Sequence, residues 1–273
     1  MTTTTWLTRG LVSVAAVAAA VTVLVPDLLS GTAVMNGSAR GTAWVVLLVA
    51  VPLLGLSLPG VTRGSRRALA LATGAVAYLT YNAVMFAFAT PFNPAFLLYV
   101  AMLSLSVWSL LGLVAHVRGL DVDATQVAPR WTGVYVLVVV ALNTAAWLGV
   151  VVPATYADEP TAFLDGTGLT TNPVFVQDLA VWLPAMAWLG LALVRLRPDV
   201  VVLAAAGLTF WVVEAIGVAV DQWAGHLADP SSTVVSQAAV PGFAALAVVG
   251  TVPLLVVLRR VPAGLAPSGG ARR

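Results

Sequence analysis

The sequence predicts an all-α protein, a bundle of about eight membrane-spanning helices. Of its 273 residues, 60% are hydrophobic and 9% are charged, whereas a soluble domain usually carries about 25% charged residues. Apolar runs of about 20 residues, long enough to cross a bilayer, recur along the chain. We therefore expect residues 1–261 to form a single transmembrane domain and residues 262–273 to form a disordered tail rich in Gly, Pro and Arg.

The limits of the apolar runs give the boundaries of the predicted spans. In chain order these spans are Trp6–Val25, Thr42–Leu58, Ala68–Phe88, Pro94–Val114, Thr132–Val152, Pro173–Val194, Val200–Val220 and Val235–Leu258. The first run has a cleaved signal peptide as its alternative, because Arg9 precedes an Ala/Val-rich core. We favour a retained span, since no clear cleavage site follows and Pro26 and Asp27 end the run as they would end a membrane helix.

The distribution of charge predicts the orientation of the bundle. All 13 basic residues are Arg, and threading eight spans places every one of them except Arg40 on the same side. By the positive-inside rule this side is cytoplasmic, and both termini lie there. The acidic residues Asp27, Asp158, Glu159, Asp165 and Asp229 collect on the other side. The lysine-free, Ala/Val/Arg-rich composition is typical of a GC-rich bacterial genome, so the predicted location is a bacterial cytoplasmic membrane.

The composition also excludes several classes of function. The chain has no Cys, which excludes disulfides, thiolate metal sites and CxxC redox chemistry. The absence of Lys excludes a retinal Schiff base and a P-loop ATPase. His116 and His226 fall on opposite sides of the predicted membrane, so they cannot share a metal or a haem. We therefore predict no cofactor and no metal, and a lipid bilayer rather than nucleic acid as the partner of the basic residues.

Polar and aromatic side chains inside the predicted spans are the candidates for a binding site. They are Tyr78, Tyr81 and Asn82 on the third span, Asn143 on the fifth, Asp178 and Trp182 on the sixth, and Trp211 and Glu214 on the seventh. An ionisable side chain at membrane depth is costly, so it usually has a function. Structural roles are the alternative: helix cross-links for the Asn residues, packing for the Tyr residues, complementing its own helix N-terminus for Asp178, and a hydrogen-bonded neutral acid for Glu214.

Asp178 and Glu214 are expected to bracket one outward-facing site. Their predicted helices are consecutive, antiparallel and joined by a short loop, so they should be neighbours. Two carboxylates in a low dielectric do not both ionise unless a cation is bound. Asp221 is interpreted as an interfacial residue that ends the seventh helix, and Pro184 is expected to kink the sixth. The acidic loop Pro153–Asn172 either forms a lid, attracts cations or, as we favour, is a solvated connector.

Two short segments carry a resemblance to known proteins. The segments F-N-P at Phe92–Pro94 and N-P-V-F-V-Q-D-L at Asn172–Leu179 resemble those of a group of bacterial multi-spanning membrane proteins to which no activity is assigned. The resemblance covers roughly the third to sixth spans. It implies a histidine where this chain has Phe175, so a metal or proton role at that position is in doubt here.

Three hypotheses about function remain open at this stage. The first is a small secondary transporter or permease in which Asp178 and Glu214 bind a proton, a cation or a small solute. The second is a non-transporting sensor, ligand-binding module or subunit of a membrane complex. It is favoured because the polar residues inside the predicted spans lie at mid-depth or in the outer half of the membrane. The third is an intramembrane enzyme acting on a lipid-like substrate. The sequence shows no evident nucleophile, so we predict no catalytic residues and rank the enzyme last.

Overall fold

A computed structural model of the protein describes residues 2–121, 123–262 and 264. Within these ranges it is all-α, with no strand and with eight helices long and apolar enough to cross a membrane. These helices fit a multi-pass membrane protein, as the sequence predicts. Of the predicted tail only Pro262 and Gly264 are described, so the expected disorder of residues 262–273 falls largely outside the described residues.

The eight helices follow one another with short connections except before the sixth. They are α1 (Thr3–Leu24), α2 (Ala33–Thr62), α3 (Arg66–Phe88), α4 (Phe96–Arg118), α5 (Arg130–Thr155), α6 (Pro173–Val194), α7 (Pro198–Ala228) and α8 (Gln237–Arg260). One end of the bundle, here called the arginine-rich end, carries Arg63, Arg118, Arg195 and Arg260. The opposite end, here called the acidic end, carries Asp27, Asp158 and Asp229.

Helices α3 and α7 form the centre of the bundle. Helix α7 packs along α2, α3 and α8, and α3 packs also on α2 and α4. Helix α1 lies outside α4 and α2, while α5 packs chiefly on α6 alone. At the arginine-rich end, Arg66 Nη1 donates to the Asp121 carbonyl oxygen at 2.6 Å and Arg67 Nε to that of Val261 at 2.9 Å. Because α5 packs chiefly on α6, the α5–α6 hairpin lies at the edge of the bundle.

Two helices extend further at the acidic end than the sequence predicts. Helix α2 begins at Ala33 rather than Thr42, and α7 ends at Ala228 rather than Val220. Apolar runs do not reveal these extensions because their residues are partly polar. The extensions stabilise each other: a Cβ built on Gly37 would lie 2.5 Å from Cβ of Ala228, so the two backbones approach closely. Arg40 therefore belongs to α2, although the threading placed it in a loop.

Two helices contain a π-helical turn directly before a proline. In α2 the turn spans Val46–Ala50 and precedes Pro52, and in α6 it spans Asp178–Trp182 and precedes Pro184. A proline has no N–H, and its ring collides with the carbonyl group four residues earlier. A wider turn removes this collision, and the Leu183 N–H donates to the Asp178 carbonyl oxygen instead. The irregularity predicted at Pro184 therefore takes the form of a π turn that begins at Asp178.

Candidate ligand-binding cavity

A cavity of about 470 Å³ lies between α3, α5, α6, α7 and α8. Toward the arginine-rich end, α6 packs closely on both α5 and α7. There a Cβ on Gly133 of α5 would lie 2.6 Å from the Gly190 carbonyl oxygen of α6, and one on Gly207 of α7 would lie 2.7 Å from Sδ of Met186 of α6. Closer to the acidic end α5 has no buried residue beyond Val136, and the cavity lies between these helices.

Most of the site residues predicted from the sequence line this cavity. They are Tyr81, Asn82, Asn143, Asp178, Trp182, Trp211 and Glu214. Tyr78 does not line it. This side chain is fully buried between α3 and α7, where a Cβ on Gly217 would lie 2.8 Å from its hydroxyl oxygen, and that hydroxyl has no hydrogen-bond partner among the described residues. The position of Tyr78 thus matches the packing alternative rather than contact with a ligand.

Asp178 is held by side chains from two other helices. It starts the π turn of α6 and is only 8% exposed. Trp147 Nε1 of α5 donates a 2.7 Å hydrogen bond to Oδ2 of Asp178. The Tyr81 hydroxyl of α3 lies within hydrogen-bonding reach of the same carboxyl group. Asp178 therefore joins α3, α5 and α6 at the wall of the cavity.

Glu214 faces the cavity with one oxygen free. Its Oε2 is buried and has no hydrogen-bond partner in the part of the chain that the structure describes. The Asn82 side chain lies beside the same carboxyl group, while Asn82 Nδ2 donates to the Tyr78 carbonyl oxygen at 3.1 Å. Asp178 and Asp221 are near enough to Glu214 to repel it when all are charged. The carboxyl group is thus positioned to interact with a partner that the protein itself does not supply.

Asp221 also lines the cavity, which corrects its interpretation as a residue that ends the seventh helix. Helix α7 continues past it to Ala228 because its last turns pack on α2. Gln222 beside it donates from Nε2 to Oδ2 of Asp221 at 3.1 Å and accepts from the Ser236 N–H at 2.8 Å, which ties the α7–α8 loop to the helix. The seven-residue spacing of Asp221 from Glu214 places both on one helix face. This spacing was the signal available in the sequence.

Aromatic rings form much of the remaining wall. Trp182 and Phe210 have ring centroids 4.6 Å apart, and Tyr81 lies 5.9 Å from Phe210 and 6.1 Å from Trp182. Gln177 fixes this group, since it accepts from Trp182 Nε1 at 3.2 Å and donates to the Tyr81 carbonyl oxygen at 3.4 Å. Sequence reasoning missed Phe210, which lines the cavity, and Gln177, which is buried behind the wall, because only the fold brings them to this group.

The α5–α6 loop is anchored over the acidic end of the cavity. Phe163 stacks on Phe175 with a centroid distance of 5.9 Å, and Phe175 is itself part of the cavity wall. Thr32 Oγ1 donates to the Gly166 carbonyl oxygen at 2.9 Å, which ties the loop to the start of α2. Gly166 has a φ of +77° and lies close to Val234 of the α7–α8 loop. These contacts attach the loop to neighbouring segments, while most of its residues are exposed, as expected of a solvated connector.

The cavity combines three carboxyl groups with an aromatic wall. Asp178, Glu214 and Asp221 supply its carboxyl groups, and the lining residues include no Arg or His. Among the described residues, no group of three or more Asp, Glu, His or Cys side chains has the arrangement of a metal site. The chain matches no family model, and no curated protein or solved structure is significantly similar to it. The chemistry of the cavity therefore has to be argued from its own residues.

Proposed function

We propose that this protein is a multi-pass protein of the bacterial cytoplasmic membrane that binds a small organic cation in the cavity and exchanges it for protons as a secondary transporter. In the proposed orientation the arginine-rich end and both termini are cytoplasmic. The observation that carries the proposal is the presence of Asp178, Glu214 and Asp221 in one aromatic cavity without a basic lining residue.

The chemistry of the wall favours an organic cation over an anion or a neutral sugar. Ammonium groups are attracted to the faces of Trp and Tyr rings, and more strongly where water is excluded. Trp182, Trp211 and Tyr81 offer such rings beside the carboxyl groups. Glu214 Oε2 lacks a partner, and a ligand N–H or positive charge would supply one. The ligand would be small, because a cavity of about 470 Å³ is in the range that holds drug-sized molecules.

Coupling to protons follows from the same carboxyl groups. The titratable residues that face the cavity are Asp178, Glu214 and Asp221, together with Tyr81 and Tyr135. Several carboxylates in a low dielectric repel one another, so they are neutralised either by protons or by a bound cation. Binding of an organic cation would then release protons, and loading of protons would release the cation. This competition is the thermodynamic basis of exchange.

A non-transporting sensor or ligand-binding subunit is the second candidate. It is favoured by the close packing toward the arginine-rich end, where Gly133 meets Gly190 and Gly207 meets Met186. That packing leaves a cavity near one end of the bundle and no continuous path. An enzyme is the weakest candidate, because no Ser, Cys or His lines the cavity.

Reconstituted vesicles separate these functions. Radiolabelled tetraethylammonium is the probe, and a pH gradient is the driving force. We expect the wild-type protein to accumulate the probe in a gradient-dependent manner, and Asp178→Asn or Glu214→Gln to remove that dependence. Asp158→Asn, in the exposed α5–α6 loop, is the matched control for loss of a carboxylate. Binding without transport would assign the protein to the sensor class, and no binding at all would overturn the proposal.

A further inference from the structure

The cavity has a side wall that two helices line without closing. Tyr135, Val139 and Asn143 of α5 face it from one side, and Phe243 and Leu246 of α8 face it from the other. These two helices scarcely touch along their length. Their close approach is toward the arginine-rich end, where a Cβ built on Gly250 would lie 3.1 Å from the Tyr135 hydroxyl oxygen. Between that point and the acidic end, a gap separates α5 from α8.

Helix α5 packs chiefly on α6, and its contacts with α8 are few. All residues of α5 are described, and beyond Val136 none of them is buried. Leu142 is 67% exposed and Leu148 is 43% exposed, on a helix whose packing partner is α6. The exposed side chains are apolar, as lipid-facing side chains are. The gap therefore faces the hydrocarbon of the half-membrane at the acidic end.

At the acidic end, loops connect the helices that surround the cavity. The α5–α6 loop is attached through Phe163 on Phe175 and through Thr32 on Gly166. Val234 of the α7–α8 loop lines the cavity and lies 3.1 Å from a Cβ built on Gly166. The α5–α6 and α7–α8 loops thus approach each other at the acidic end, while α5 and α8 make few contacts beside the cavity.

We propose that the ligand reaches the cavity laterally from the bilayer, through the gap between α5 and α8, and that amphiphilic organic cations are its preferred ligands. This inference rests on the proposed cation site and adds the ligand class and its route. Val139, Phe243 and Leu246 give the gap an apolar rim along which hydrophobic groups can pass.

The polar part of such a ligand has its own contacts at the gap. Asn143 Oδ1 is a buried acceptor with no hydrogen-bond partner among the described residues, and Asn143 lines the cavity. A protonated amine passing the rim meets this oxygen before it reaches Glu214. Buried acceptors without a partner are costly, so a passing donor is stabilised there. The positive group of an amphiphile would therefore pass the apolar rim first and reach the carboxyl groups afterwards, while its hydrophobic groups stay in the bilayer.

The test measures how fast a hydrophobic cation binds to the full-length protein in lipid nanodiscs. The probe is tetraphenylphosphonium, which partitions into bilayers. Val139→Trp narrows the gap, and we expect the association rate to fall about tenfold, since a blocked route acts on the association rate. Val138→Trp is the matched control, because Val138 is 50% exposed and does not line the cavity. We expect its rate to equal that of the wild type.

A second variant guards against a folding defect. Because the chain has no Cys, a maleimide labels a Val139→Cys variant at that position alone. The variant is first purified in its folded form and then labelled with a bulky maleimide. Labelled Val138→Cys is its control. Equal rates for both labelled proteins, together with binding that still depends on Glu214, would overturn the lateral route and leave the cation site intact. Tetraphenylphosphonium binding that is absent in the wild type or insensitive to Glu214→Gln would overturn the cation site itself.

Discussion

Trp147 Nε1 donates a 2.7 Å hydrogen bond to Oδ2 of Asp178, and this bond joins α5 to the first residue of the π turn in α6. The Trp147 ring also contacts the Phe175 ring, with centroids 4.7 Å apart. These contacts lie in the part of α5 that has no buried residue. Trp147 therefore holds the outer half of α5 in place and at the same time satisfies an intramembrane carboxyl group.

We predict that Trp147→Phe lowers the free energy of unfolding by about 1–2 kcal/mol, since it removes an interhelical hydrogen bond and leaves a buried acceptor without its donor. Thermal unfolding followed by circular dichroism in detergent measures the change. Trp108→Phe, on the lipid-exposed face of α4, is the control and should unfold like the wild type. Equal stability of the two variants would show that the bond contributes nothing.

Asp178→Asn and Glu214→Gln are expected to abolish pH-dependent binding while preserving or raising thermal stability. An amide keeps most of the shape of a carboxyl group but never carries a charge into a low dielectric. Titration of tetraethylammonium binding between acidic and alkaline pH, with parallel unfolding curves, measures both effects. The exposed-loop variant Asp158→Asn should keep the wild-type pH response. A double variant that kept that response would contradict the proposed role of the two carboxyl groups.

Gly41→Ala is predicted to destabilise the protein by about 1–3 kcal/mol through overpacking. A Cβ at this position would lie 2.7 Å from Cβ of Ala224 and 2.9 Å from the Val220 carbonyl oxygen, so α2 and α7 would have to separate. Gly55→Ala is the matched control, because nothing lies within 4 Å of a Cβ there. We expect the control to be neutral or stabilising by up to about 1 kcal/mol, since Ala favours helix.

Pro184→Ala should allow the normal hydrogen bond to the Ala180 carbonyl oxygen and so remove the reason for the π turn. Because Asp178 begins that turn, we expect cation binding to weaken while expression and folding are retained. Pro52→Ala changes the equivalent proline after the π turn of α2, away from the cavity, and serves as the control. Equal cation binding by both variants would show that Pro184 has no role in forming the binding site.

Reporter fusions after Arg67, Arg130, Arg197 and Arg273 should all report a cytoplasmic location, because these positions follow the arginine clusters. Alkaline phosphatase and green fluorescent protein fusions give opposite signals across the membrane and provide the measurement. A fusion after Asp158, in the acidic-end loop, is the positive control for the outer side. Periplasmic signals at two of the four arginine positions would contradict the orientation.

The helices were predictable from the sequence where apolar residues alone determine them. The sixth span matches α6 at both bounds, Pro173 and Val194, since a capping Asn172 and an arginine-rich turn delimit it. The bounds of α2 and α7 were not predictable from hydropathy, because their polar extensions are helical only through contact with each other. Local rules do not contain that contact.

The candidate site was predictable to a similar extent. Helical spacing and depth single out Asp178 and Glu214, and the structure places both at one cavity. The same spacing could not distinguish Tyr78 from Tyr81, which differ only in whether Gly217 or the cavity lies against the ring. Pro184 indicates the irregularity in α6, whereas the gap beside α5 depends on contacts between distant segments, which local rules do not contain.

The length of α7 determines where the membrane voltage would act. Its 31 residues span about 46 Å, whereas the hydrocarbon core is about 30 Å thick. Glu214 lies 16 residues from the first residue, Pro198, which is about 24 Å along the axis. With the arginine-rich end at the inner hydrocarbon boundary, most of the electric field falls below Glu214, across the packed layer at Gly207. A cation that binds at Glu214 from the half-membrane at the acidic end then crosses little of the field, and voltage acts on the step that carries charge past that layer.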